Sequence, residues 1–152
     1  MEDAGEGYVK FVSQSETKSK LLDVLNGWSA DGTNIQLYLD HGHDAQKFKL
    51  KPVSGGGYQL LAKCSNDEKC VMVSAGSAPN DVFAIRANIE LGTAGSDSEP
   101  RSIWYFEPAD EGNVSAAPQD GMLLRIRARH SGQYVRAVND TMRVGRRFAA
   151  DL

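Results

Sequence analysis

Gln46-Lys47-Phe48-Lys49-Leu50-Lys51-Pro52 places an apolar residue at every second position with a lysine between each pair. That period belongs to a half-buried strand, because successive side chains of an extended chain point to opposite faces. The same closing pattern returns at Ser102-Ile103-Trp104-Tyr105-Phe106-Glu107-Pro108 and, more weakly, at Arg146-Arg147-Phe148. Three openings also match one another: Gly7-Tyr8-Val9-Lys10-Phe11, Gly57-Tyr58-Gln59-Leu60-Leu61 and Gly121-Met122-Leu123-Leu124-Arg125. Openings and closings alternate, so the chain divides into three units at about 7–52, 57–108 and 121–152.

Helix signals are scarce. Phe83, Ile85, Ala87, Ile89 and Leu91 alternate with Ala84, Arg86, Asn88 and Glu90, again the period of a strand. Turn formers separate these runs, among them Asn26-Gly27, Asp31-Gly32, His41-Gly42, Ser54-Gly55-Gly56-Gly57, Pro79-Asn80-Asp81, Asp120-Gly121 and Ser131-Gly132. Several short strands per unit predict an all-β fold, a closed pseudo-threefold barrel in which each unit buries its apolar face against the other two. The third unit is compressed, with 25 residues from Gly121 to Arg146 against 39 from Gly7 to Gln46.

One domain fits 152 residues, and 41% hydrophobic content with 24% charge excludes a disordered chain. No run approaches the roughly 20 apolar residues of a membrane helix. The acidic start Met1-Glu2-Asp3-Ala4-Gly5-Glu6 lacks the apolar core of a secretion signal, which predicts a cytoplasmic protein or one released without a classical signal peptide. The net charge of −3 hides an asymmetry. Residues 1–120 carry 18 acids against 10 Lys or Arg, whereas residues 121–152 carry 2 acids against 7 Arg. In Leu124-Arg125-Ile126-Arg127-Ala128-Arg129 the arginines alternate with apolar residues, as on the solvent face of a strand. With a pI of 5.6 there is no domain-wide field for nucleic acid, and none is expected as a partner.

The first unit resembles a repeat of the ricin B-type β-trefoil lectins. Leu21-Leu22-Asp23-Val24, Asp31-Gly32-Thr33, Ile35-Gln36-Leu37-Tyr38 and Gln46-Lys47-Phe48 follow that family's order of Leu-Asp-Val, Asp-Gly-Thr, Gln-Leu-Trp and Gln-x-Trp. The resemblance implies a single β-trefoil and non-catalytic binding of glycans or glycoproteins, of galactose or N-acetylgalactosamine type. In the family an aromatic ring stacks on the C–H face of a sugar while a carboxylate accepts from two of its hydroxyls. Asp23 matches that carboxylate and Tyr38 that platform. Gln46 matches the motif glutamine, which more often braces the fold, and Phe48 its core aromatic. Many family sites carry an asparagine where this chain has Ala45, and Asp44, His41 or His43 are the substitutes in the same loop. One lost neutral hydrogen bond would cost about 0.5–1.5 kcal/mol.

In the second unit Met72 stands at the position of Asp23, and in the third Arg136, so one main site is expected, in the first unit. Arg125, Arg127 and Arg136, with Arg143, make a secondary candidate for an anionic sugar or sulfate. Ile126-Arg127-Ala128-Arg129-His130-Ser131-Gly132-Gln133-Tyr134-Val135 also resembles fascin-type trefoil repeats, which implies actin binding; the alternative is therefore a protein-interaction module, actin-binding or, as trefoil scaffolds also support, protease-inhibiting. Another is the targeting domain of a larger enzyme or toxin. Asp40-His41-Gly42-His43-Asp44 lacks the spacing of a structural zinc site, and no metal or cofactor is expected. No catalytic motif is present to make an enzyme. Cys64 and Cys70 bracket a hairpin turn that would allow a disulfide between facing strands, and without an export signal free thiols are the preferred reading. A homodimer would add avidity to a single site.

Overall fold

The structure is a computed structural model that describes residues 1–14, 20–74, 87–93, 99–109, 117–138 and 141–145. Among the described residues twelve strands form: β1 Glu2–Gly5, β2 Tyr8–Lys10, β3 Lys20–Val24, β4 Ile35–Leu39, β5 Phe48–Pro52, β6 Tyr58–Ala62, β7 Cys70–Val73, β8 Ile89–Gly92, β9 Trp104–Pro108, β10 Leu124–Ala128, β11 Tyr134–Val138 and β12 Thr141–Gly145. All pairs are antiparallel. The fold is a β-trefoil.

The three units show in the pairing. β3/β4, β7/β8 and β11/β12 are hairpins within units, while β5/β6 and β9/β10 join one unit to the next. The first strand of a unit also meets its own last strand, Val9 opposite Phe48 and Tyr58 opposite Trp104. At the remaining place in the ring stands β1. It pairs with β2, and Met1 is bonded in both directions to the segment before β10: its amino group donates to Met122 O at 3.0 Å and its carbonyl accepts from Gly121 N at 2.9 Å. The closing pattern at Arg146-Arg147-Phe148 lies outside the described residues, as do Phe83, Ile85 and the Pro79-Asn80-Asp81 turn.

Alternation along the strands supplies the core. Phe48 and Trp104, third residues of the two strongest closing motifs, are fully buried with Val24, Ile35, Leu60, Val73, Ile89, Leu91 and Ile103. The Trp104 indole N–H donates to Val71 O at 2.9 Å, so its one polar atom is satisfied inside the core. Between β5 and β6 the chain turns through Gly55, Gly56 and Gly57, all at φ between +84° and +89°. A side chain on Gly57 would meet Ile103 Cγ2 at 2.9 Å and Trp104 O at 3.1 Å, so the residue is glycine for space as well as for backbone conformation. No helix of the described residues is long and apolar enough to cross a membrane.

Candidate functional site

The β3/β4 register sets Leu22 opposite Leu37 and Val24 opposite Ile35 on the core face. It therefore sets Asp23 opposite Gln36 on the other face, with Tyr38 two residues along from Gln36 on that same face. Asp23 is only 2% exposed, and its carboxylate is held at both oxygens. Gln36 Nε2 donates to Oδ1 at 3.1 Å and His41 Nε2 lies 2.8 Å from Oδ2. The backbone N–H of His43 donates to His41 Nδ1 at 3.1 Å, which leaves the ring proton on Nε2 and makes His41 the donor to Asp23. Each carboxylate oxygen keeps acceptor capacity for a further donor.

Gln46 explains why His41 sits where it does. It is fully buried, donates from Nε2 to Leu39 O at 2.8 Å, and accepts the His41 N–H on Oε1 at 3.2 Å. Its role is to clamp both ends of the loop after β4. Asp40 Oδ1 accepts the Gly42 N–H at 3.1 Å within that loop, and Gly42 supplies the positive φ of the turn. The His41 ring lies 6.1 Å from the Tyr38 ring and 5.0 Å from that of His43. Tyr38 itself is half exposed.

Asp23, Gln36, Tyr38, His41, Gly42 and His43 line an open cleft of about 720 Å³ with Leu25, Asn26, Gly27, Asp44, Ala45 and Cys64. Asp44 Oδ1 lies 3.6 Å from both Lys47 Nζ and Lys63 Nζ, so its charge is shared with two lysines. A hydrogen bond to Glu6 raises the pKa of Lys63, and the ammonium also stands over the Tyr8 ring. Ala45 is buried, its Cβ 3.8 Å from where a Cβ on Gly27 would stand, so the wall containing Asn26 packs directly against it. Burial pushes the Cys64 thiol pKa up, and the Asp44 and Asp23 charges add to the shift. Cys64 and Cys70 carry free thiols. Among the described residues no three His, Cys, Asp or Glu side chains are grouped to hold a metal.

The sequence profile of the family described as ricin-type β-trefoil lectin domain-like matches residues 1–88, more than half of the chain. The chain belongs to the ricin-type β-trefoil lectin-like family. No curated protein matches it by sequence. The trefoil superposes on ThreeFoil, a designed threefold-symmetric protein, at 26% identity and TM-score 0.74, covering 96% of this chain and 94% of that one. It is similar in fold to the Rhizoctonia solani agglutinin (22% identity, TM-score 0.67, 95% and 89% covered). An exo-β-1,3-galactanase from Clostridium thermocellum is similar too (19% identity, TM-score 0.68), with 95% of this chain covered but 28% of that one.

Within this ricin-type trefoil the pairing of Asp23 and Tyr38 is not repeated among the described residues of the second unit. There Met72 opposes Glu90, as Asp23 opposes Gln36, and the position of Tyr38 is Gly92. The Met72 side chain fills the space, its Sδ 2.6 Å from where a Gly92 Cβ would stand. In the third unit the backbone register sets Arg136 opposite Arg143 and leaves Gly145 at the platform position. The Arg136 and Arg143 side chains lie outside the described ones. Arg127 donates to Glu107 Oε1 at 2.7 Å and lies over the Tyr105 ring, while Arg125 donates to Ala109 O.

The cleft or its supporting loop holds all six candidate residues of the first unit, Asp23, Tyr38, His41, His43, Asp44 and Gln46. Gln36 and Cys64 also line the cleft without being singled out by the sequence, and Asn26, a turn former in the sequence, stands in its wall. Strand alternation with Tyr38 was the available signal for Gln36.

Proposed function

We propose that the protein is a non-catalytic carbohydrate-binding lectin with one main site, the cleft of the first unit, for glycans of galactose or N-acetylgalactosamine type. The observation that carries this reading is the pairing of a fixed, buried carboxylate with an exposed aromatic ring. Asp23, oriented by Gln36 and His41, faces the same cleft as Tyr38. A sugar ring stacks its C–H face on Tyr38 while two adjacent hydroxyls donate to Asp23. Because Gln36 and His41 hold the carboxylate before ligand arrives, little conformational freedom is lost on binding. Family membership and the fold shared with an agglutinin support the same reading.

A second reading places the domain as the targeting part of a larger enzyme. It draws on the galactanase, in which a similar trefoil accounts for little more than a quarter of the chain. The two readings share one sugar site.

The test is a glycan array probed with the wild-type chain, Asp23→Asn and Tyr38→Ala. Asp23→Asn keeps the side-chain volume and removes the charged acceptor, so binding to galactosides should fall at least tenfold. Tyr38→Ala should weaken it similarly. Undiminished galactoside binding by both variants would place the site elsewhere, and no glycan bound by the wild type would end the lectin reading.

A further inference from the structure

We infer that Arg129, which follows β10, forms a second binding site apart from the cleft, for the carboxylate of an acidic glycan. The glycan as carrier rests on the lectin reading, whereas the carboxylate rests on a comparison between neighbouring units. Two junctions between units match residue for residue. β5 and β6 pair with Phe48 opposite Ala62, and β9 and β10 with Trp104 opposite Ala128. One residue beyond each pair, Lys63 N donates to Lys47 O at 3.0 Å and Arg129 N donates to Ile103 O at 3.0 Å. Lys63 and Arg129 therefore hold the same place in successive units.

The two cations differ in what surrounds them. Lys63 Nζ lies 3.0 Å from Glu6, in the turn between β1 and β2, and 3.6 Å from Asp44, which opens the single-turn helix Asp44–Gln46 before β5. Arg129 meets the turn between β5 and β6 instead, at Gly55, where a Cβ would stand 3.2 Å from Nη2. The counterpart of Asp44 is Pro100, which opens the single-turn helix Pro100–Ser102 before β9. Neither Gly55 nor Pro100 carries charge. Glu99, beside Pro100, accepts from Arg101 Nε at 3.1 Å, and Glu107 accepts from Arg127 and from the Tyr134 hydroxyl. Among the described residues no carboxylate or carbonyl accepts from the Arg129 side chain. The guanidinium is half-buried against a turn with no side chain from 55 to 57, with the Tyr105 ring against Gly57. Such a fork binds a carboxylate through two parallel hydrogen bonds. At Lys63 the chain supplies the carboxylates itself, and at Arg129 the ligand brings one.

The test is an NMR titration with hyaluronan tetrasaccharide, which carries carboxylates but neither sulfate nor galactose, of the wild-type chain, Arg129→Gln, Pro100→Asp and Lys69→Gln. Wild type should bind at low salt, with amide shifts centred on residues 55–57 and 127–129, and more weakly at about 0.15 M salt. Arg129→Gln should lower the affinity about tenfold. Pro100→Asp copies the arrangement of Asp44 beside Lys63 and should lower it about threefold with Arg129 still present; it decides the matter if Arg129→Gln fails to fold. Lys69→Gln makes the same charge change at a cation already paired with Asp31, and should alter the affinity less than about twofold. The carboxyl-reduced tetrasaccharide should not bind. No shifts of wild type at millimolar tetrasaccharide, affinity unchanged in Arg129→Gln, losses equal in Arg129→Gln and Lys69→Gln, or equal binding of the carboxyl-reduced sugar would overturn the site and leave the galactose reading untouched. Tetraglutamate bound more tightly than the tetrasaccharide would overturn the glycan as the carrier.

Discussion

The His41 imidazole lies 2.8 Å from the Asp23 carboxylate and donates to it, because the other ring nitrogen already accepts the His43 N–H. The carboxylate of the candidate site is therefore oriented by a loop eighteen residues further along the chain. His41→Ala leaves a buried carboxylate with Gln36 as its one donor among the described residues. Unfolding in urea should show a loss of about 1–3 kcal/mol, with galactoside affinity falling too. His41→Gln, whose amide can donate, should recover part of both. Stability equal to wild type in His41→Ala would show that the histidine does not hold the acid.

Cys64 gives the cleft a chemical reporter. Its thiol pKa is raised, chiefly by burial, so at pH 7–8 less thiolate is present than on an ordinary cysteine. Iodoacetamide labelling followed by mass spectrometry should be slow there and accelerate as the pH rises beyond the usual thiol range. Bound sugar should slow it further. Cys70 is 1% exposed, its thiol donates to Gly92 O, and it should not label in the folded chain. Labelling of Cys64 at the rate of a free thiol at pH 8 would contradict its placement in the cleft wall.

Gly57 tests the barrel. An added methyl meets Ile103 Cγ2 at 2.9 Å and Trp104 O at 3.1 Å, at a φ of +87°. Gly57→Ala combines backbone strain with crowding and should cost about 2–3 kcal/mol, read as a lower thermal midpoint. Gly121→Ala, also at positive φ but with open space around its Cβ, should cost less. Equal losses would mean that close packing at the β5/β6 turn is not the reason for glycine.

Much of the fold was legible because strand period and turn glycines are local signals. Phe48, Leu50 and Pro52 alternate in the sequence, and β5 spans them. Asp23 and Tyr38 were legible through their motif context. The cleft's remaining features depend on register and turn conformation. That Gln36 bonds Asp23 follows only once β3 and β4 are paired. Asn26 enters the wall through a left-handed turn that Asn-Gly permits but does not aim. β1 takes its place beside β2 through contacts with residues near 120, a separation that no window of sequence spans.

The most direct test of the account is an amide-resolved NMR titration of the wild-type chain with galactose or N-acetylgalactosamine. Shifts should concentrate at residues 23–28, 36–46 and 64, saturate at one sugar per chain, and leave residues 70–73, 89–92 and 125–129 unmoved. Saturating shifts centred on the β7/β8 hairpin or on Arg125 and Arg127, or no shifts at millimolar sugar, would contradict it.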